Sequence, residues 1–384
     1  MELYYYTTTD TLRYILENGD IFATNIRYMN DSEEYTNGLE ELHALANNDA
    51  LVERWIEERR PDDIIKQEEI KALFTKEKLE ECKKQQEYYS ISFCQKNDLL
   101  SQWAIYARES GVSIKMNFVK ESYCFWAEST EKEGVGDKKT DKAEKRRAEW
   151  QLIPKEVCYL THDSMKGDEK EYEEKAFDIL DQLYTRDAVD KTEGKSEIWR
   201  YISTYVKRYD FYQESESRLI FQPGQAFFPP KIKYRCDNKV LKPYLDVYCK
   251  GGWPIWEIMI GPGFNQEVVY NSVKHFLEHM DVMAGLEDNS WEYIKRVENY
   301  FKTYAKELEG CKAYDEMCKY ISDNELISKM SFDYVKIVFY RQTQQICRSI
   351  VEEQYGEELQ EYVKRNYFTK SGIILSKTSI PYIF

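Results

Sequence analysis

The chain has 384 residues, of which 42% are hydrophobic and 15% aromatic, so it can bury a sizeable core and is not a disordered protein. Its formal net charge of −15 argues against general coating of nucleic acid, which needs a positive field, although a local basic groove stays open. The nine cysteines are scattered without a CxxC pair, which favours a reducing compartment over a disulfide framework.

The amino-terminal residues contain neither a basic segment nor an apolar one, so the sequence shows no secretory signal. No apolar run approaches the roughly 20 residues that a membrane-spanning helix needs. We therefore expect a cytoplasmic protein that makes no use of a membrane.

The chain begins with a tyrosine-rich strand from Leu3 to Thr7, in which Tyr4 and Tyr6 point to the same side. A helix follows and ends at Asn18-Gly19, because glycine adopts the left-handed conformation that closes helices. After a second short strand, Asn30 and Asp31 predict a turn, since their side chains bond the local backbone.

Residues 88–118 are expected to form a compact strand, helix and strand. Alternation through the first strand places Ser90 and Ser92 on the face opposite Ile91, where two hydroxyls could line a polar cleft. The short helix carries Trp103 and Tyr106 on its apolar face before the second strand begins.

The remaining pattern predicts an α+β fold, with a central mixed or antiparallel sheet and a large helical insertion near the carboxyl end. We divide the chain into an α+β core at 1–284 with a charged insertion at about 128–195, a helical insertion or subdomain at 285–366, and a strand at 367–384 that returns to the core.

The segment from Phe211 to Arg218 combines two carboxylates with a guanidinium. In a strand, Glu214, Glu216 and Arg218 would share one face. They could form a salt-bridge ladder of little energetic value, or they could line a cleft in which a glutamate acts on a ribose and the arginine holds an anion. Tyr4 and Tyr6 present a similar choice between core packing and stacking on a nucleobase or nicotinamide.

No metal site is predicted. His275 and His279 have the i,i+4 spacing of metal ligands, but no third ligand signature accompanies them.

The chain resembles the bacterial domain-of-unknown-function 2971 family in segments that occur in the order typical of that family. They span almost the whole chain and are the opening strand at 3–8, Asn30-Asp31, Ser90–Phe93, Asp98–Trp103, the series Glu214, Glu216 and Arg218, Ile258–Pro262, Ser376 and Pro381-Tyr382. Ser32 stands where the family usually has proline.

The opening strand and helix also look like the start of DNA-targeting ADP-ribosyltransferases and RNA 2′-phosphotransferases. Here Tyr5 or Tyr6 occupies the position at which those enzymes carry histidine or arginine. The later serine pair and glutamate pair are similar to the Arg-Ser-Glu order of the ADP-ribosyltransferase fold.

This resemblance implies an NAD-using ADP-ribosyltransferase-like enzyme or NAD glycohydrolase, acting as an intracellular toxin effector in settings such as antiphage defence. Its catalytic residues would be Glu214, Glu216 and Arg218. NAD, as substrate, would be held by Tyr4, Tyr6, Thr7, Asn30, Asp31, Ser90, Ser92, Trp103 and Tyr106.

Two alternatives stay open: a non-catalytic sensor of a nucleotide or a phage component, and a metal-dependent nuclease. Besides the nucleotide, the expected partners are a protein or nucleic-acid target and a second copy of the chain bound through the helical region.

Overall fold

The structure is a computed structural model, and the part of the chain that it describes falls into two compact units. The described residues are 1–29, 34–61, 71–72, 74–84, 87–107, 111–118, 120–130, 146–160, 169–184, 195–237, 239–279, 367–368 and 373–380. The predicted helical insertion at 285–366 and the predicted turn at Asn30-Asp31 lie outside these residues.

The first unit comprises Met1–Asp20, Cys94–Lys120 and Tyr248–Phe384. Its strands are β1 (Glu2–Thr8), β4 (Gly111–Asn117), β13 (Ile255–Ile260), β14 (Tyr367–Phe368) and β15 (Ile374–Lys377). They form a sheet in the order β1, β4, β13, β15, β14. These pairs are antiparallel except for β13 and β15, which run parallel.

The described helices of the first unit are α1 (Thr9–Asn18), the single turn α5 (Leu100–Gln102), a π-helix (Trp103–Ala107) and α8 (Gln266–His279). Thr8 begins α1 because its Oγ1 accepts a hydrogen bond from the Thr11 backbone N–H at 3.2 Å. Gly19 ends the helix with φ = 79°, as its sequence position predicts.

The second unit comprises Ile21–Phe93 and Glu121–Val247. Its strands are β2 (Asp20–Asn25), β3 (Tyr89–Cys94), β5 (Tyr123–Glu128), β6 (Arg147–Leu152), β7 (Lys155–Glu156), β8 (Cys158–Leu160), β9 (Val206–Arg208), β10 (Glu216–Phe221), β11 (Lys233–Asp237) and β12 (Val240–Cys249). In its sheet, β10 lies next to β3, β3 next to β2, and β2 next to β12, while β11 and β5 also pair with β12.

The second unit also contains a helical layer with its own apolar core. Trp55, Phe177 and Trp199 are buried there with aliphatic side chains from the neighbouring helices. Burial of this apolar surface holds the layer together. Its described helices are α2 (Glu34–Ala46), α3 (Asp49–Arg59), α4 (Lys76–Lys84), α6 (Glu169–Leu183) and α7 (Lys195–Ser203).

The predicted α+β class with a mixed, mainly antiparallel sheet is confirmed. The short helix predicted around Trp103 is present, as one α-turn followed by a π-helix. The apolar pattern after residue 195 also predicts a helix at 195–209, and this boundary was wrong, because the helix ends at Ser203 and β9 begins at Val206. Within the described residues, no helix combines the length and apolarity that crossing a bilayer requires.

Candidate functional site

A buried cluster of charged side chains occupies the start of β10 in the second unit. Arg218 donates two hydrogen bonds to Glu216, from Nε to Oε1 at 2.8 Å and from Nη2 to Oε2 at 2.6 Å. Its Nη1 donates to the Thr204 carbonyl at 2.6 Å. This bidentate pair confirms that residues 216 and 218 share one face of a strand.

Lys207, on β9, joins the second carboxylate to the cluster. Its Nζ donates to Glu214 Oε2 at 2.6 Å and lies 3.4 Å from Glu216 Oε2. The prediction that Glu214 shares the strand face was wrong, because Glu214 ends a 3-10 helix and Ser215 turns the chain with φ = 43°. The lysine, rather than strand alternation, brings the two glutamates together.

Burial dominates the electrostatics of the cluster. It raises the pKa of Glu216, and Lys207 and the Ser92 hydroxyl oppose that rise. Burial also lowers the pKa of Arg218 to about 9, so the guanidinium stays charged at neutral pH. For Lys207, burial lowers the pKa, but Glu216 and Glu214 outweigh it and the pKa is raised. The cluster therefore keeps its cations charged.

The two predicted serines lie on β3, which pairs with β10. Ser92 lies beside Glu216, where its hydroxyl lowers the pKa of that carboxyl. Ser90 lies directly opposite Thr24 of β2. Both serine Oγ atoms are closed off from solvent and make no hydrogen bond of ordinary geometry within the described residues. Two such hydroxyls side by side are unusual in a folded protein.

We expect Ser90→Ala to change the free energy of unfolding by less than about 1 kcal/mol, in either direction, because the hydroxyl makes no bond that would be lost. Urea denaturation of the variant and the parent protein measures this difference. A loss above about 2 kcal/mol would show that a bound group satisfies the Ser90 hydroxyl.

The polar face continues to residues that the sequence did not single out. Residues directly opposite in an antiparallel pair project to the same face, so Thr24 and Ser90 project together. Arg235 of β11 then reaches Thr24, with Nη2 donating to Oγ1 at 3.0 Å. We call the series Arg218, Glu216, Ser92, Ser90, Thr24 and Arg235 the polar row.

The predicted aromatic residues belong to the first unit, where Tyr4, Tyr6 and Trp103 pack in one apolar cluster. The Tyr6 ring meets Trp103 edge-on with centroids 4.8 Å apart. The Tyr6 hydroxyl donates to the Lys96 carbonyl at 3.1 Å and accepts from the Leu99 N–H at 3.0 Å. These bonds favour the core-packing alternative for Tyr6.

Of the other first-unit residues, Thr7 is buried, whereas Tyr106, predicted on the apolar face of its helix, is exposed. Asp98 comes just before the short helix, where its side chain is predicted to cap the helix. It instead accepts hydrogen bonds from Trp103 Nε1 at 2.8 Å and from Thr378 Oγ1. Asp98 thus fixes the indole and ties its loop to the segment after β15.

The structure therefore brings together Ser90, Ser92, Glu214, Glu216 and Arg218 in the second unit, whereas Tyr4, Tyr6 and Trp103 form an apolar group in the first. In the described part of the chain, no group of three or more His, Cys, Asp or Glu residues has the arrangement of a metal site.

Comparison with known proteins does not identify a family for this chain. No protein-family model, no curated protein and no solved structure matches the chain.

Proposed function

We propose that the protein is an NAD-consuming enzyme of the ADP-ribosyltransferase type, or an NAD glycohydrolase, and that the charged cluster of the second unit carries the reaction. The supporting observation is the Lys207 ammonium, which joins a buried carboxylate, Glu216, to a carboxylate that solvent reaches, Glu214. The side chain of Glu214 is 25% exposed, against 8% for Glu216.

This difference in exposure assigns different roles to the two glutamates. When the glycosidic bond of NAD breaks, nicotinamide leaves with the bonding electrons and positive charge develops on the ribose. Glu214, as the accessible carboxylate, would stabilise that charge. In the hydrolase, water adds to the sugar and releases a proton. Glu216 and Arg218 would act as positioning residues by fixing Lys207, which in turn orients Glu214.

We expect Glu214→Gln to slow nicotinamide release about 100-fold, because the amide keeps the shape of the side chain and loses its negative charge. Chromatography of NAD incubated with the protein, with and without cell extract as a source of acceptor, measures the rate.

Glu156→Gln is the matched control, since Glu156 is an exposed glutamate of β7, the strand that pairs with β10. It should retain the parent rate. Equal rates for the parent protein and Glu214→Gln would overturn the assignment of Glu214. Absence of release by the parent, with and without extract, would overturn the proposed reaction.

A second candidate is a non-catalytic nucleotide sensor. It is favoured by the complete engagement of Glu216, whose two oxygens accept hydrogen bonds from Arg218 while Lys207 lies near one of them. A carboxylate held in this way can serve as a rigid support. For a sensor, calorimetry would detect NAD binding by the parent protein without any nicotinamide release.

A metal-dependent nuclease stays a further alternative. Cleavage of nucleic acid by the purified protein that EDTA abolishes would favour it.

A further inference from the structure

Among the described residues, one cation at the end of the polar row lacks the carboxylate partner that its neighbours have. On the face shared by β11 and β12, Lys233 pairs with Asp246, and Lys242 pairs with Asp237 at 2.8 Å. Arg235 lies between these pairs and makes no ion pair with any described residue. Its positive charge is left for a ligand to neutralise.

The Arg235 guanidinium is nevertheless held in a defined position. It lies over the rings of Phe22 and Tyr244, with Cζ 5.5 Å and 5.9 Å from the two centroids. The two rings pack against each other with centroids 4.5 Å apart. Its Nη2 donates to Thr24 Oγ1, and its Nε is buried without a hydrogen-bond partner in the described structure. Aromatic packing thus fixes the side chain before any anion arrives.

The Arg235 end of the polar row is open to a ligand, whereas the Arg218 end is closed. Arg235, Thr24, Phe22 and Tyr244 are all partly exposed, in contrast to Arg218, which is 1% exposed. The Thr24 oxygen accepts from Arg235, so its own hydrogen is left to donate to a neighbouring acceptor.

We propose that Arg235 and Thr24 form a binding site for a phosphate group. The guanidinium fork comes from β11 and the hydroxyl from β2. They suit a tetrahedral oxyanion better than a planar carboxylate, which the fork alone would satisfy. Asp237 and Asp246 share this face, but each is paired with a lysine. The site does not depend on the proposed breakdown of NAD.

The test is calorimetric titration of the whole chain with inorganic phosphate, pyrophosphate and succinate at constant ionic strength. We expect the parent protein to bind phosphate and pyrophosphate more tightly than succinate. Arg235→Gln should weaken phosphate binding about tenfold or more, because a charge-assisted bond is lost. Arg208→Gln removes the same charge from an exposed arginine of β9 and should leave the affinity unchanged.

Thr24→Val provides a second variant in case Arg235→Gln does not fold. It keeps the shape of the side chain and should weaken phosphate binding about three- to tenfold. Equal affinity of the parent and both variants would overturn the site. Tighter or equal binding of succinate would overturn the preference for phosphate. Absence of phosphate binding by the parent at concentrations up to about 10 mM would also contradict the proposal.

Discussion

Replacing Arg218 with methionine should lower the free energy of unfolding by about 3–5 kcal/mol. The substitution keeps much of the side-chain volume and removes the guanidinium that donates twice to Glu216. Glu216 is buried, so its charge would stay buried beside Lys207 without its bidentate partner. Urea unfolding followed by tryptophan fluorescence measures the loss.

Arg208→Met is the matched control, because Arg208 is an exposed arginine close by in the chain. Its free energy of unfolding should stay within about 0.5 kcal/mol of the parent value. The double variant Arg218→Met with Glu216→Gln should lose less free energy of unfolding than the sum of the losses in the two single variants. Both charges of the pair are then absent, so neither is left buried without the other. A loss below about 1 kcal/mol for Arg218→Met would show that the pair does not stabilise this unit.

The Gly38→Ala substitution should lower the free energy of unfolding by about 3 kcal/mol, which is at the upper end of the usual cost of overpacking. Gly38 lies within α2, where a Cβ atom would collide with the Ser203 carbonyl and lie 2.9 Å from the Val206 carbonyl. Both obstacles are backbone atoms, so they cannot yield as a flexible side chain can. The gain in helix propensity, about 1 kcal/mol, offsets only part of this cost.

Gly224→Ala is the control for the glycine substitution, since a Cβ at position 224 would meet nothing within 4 Å. It should leave the stability unchanged or raise it by up to about 1 kcal/mol. Thermal unfolding of the two variants in parallel gives the comparison. If Gly38→Ala is as stable as Gly224→Ala, α2 does not approach the Ser203–Val206 segment as closely as the structure indicates.

Gly38 also bears on the candidate site. The segment that it contacts supplies the Thr204 carbonyl to Arg218 and leads directly into Lys207. The close approach of α2 therefore helps to fix the positions of two cations. In a Gly38→Ala variant that remains folded, we expect the side chains of Arg218 and Lys207 to shift more than the rest of the second unit.

The parts of the site that strand alternation controls could be predicted from the sequence. Ser90 and Ser92 were placed on one face of β3, and Glu216 and Arg218 on one face of β10, because the side-chain period of a strand is two residues. Glu214 was misplaced since nothing in its local pattern signals the left-handed turn at Ser215. The predicted end of the helix that begins at residue 195 was wrong for a similar reason, because a continuous apolar stripe does not reveal where a strand begins.

Contacts between distant segments could not be predicted. Thr24 and Arg235 are 211 residues apart, and only the pairing of β2 and β11 with β12 brings them together. The alternation of Lys233 and Arg235 with exposed Tyr234 was a visible signal that β11 has one charged face. It did not show that one of these cations would lack a carboxylate. The contact of Gly38 with a backbone carbonyl was equally invisible, since it depends on how α2 packs.

The central claim is that a nucleotide binds at Glu214, on the solvent-facing side of the charged cluster, and that the accessible end of the polar row, at Arg235, binds a phosphate group. A crystal structure of the Glu214→Gln variant grown with NAD tests it most directly, because that variant should bind NAD and consume it about 100-fold more slowly than the parent protein. We predict that the ribose lies within hydrogen-bonding distance of the amide introduced at position 214 and that a phosphate group lies at Arg235. NAD bound away from both positions, or absent at saturating concentration, would contradict the claim.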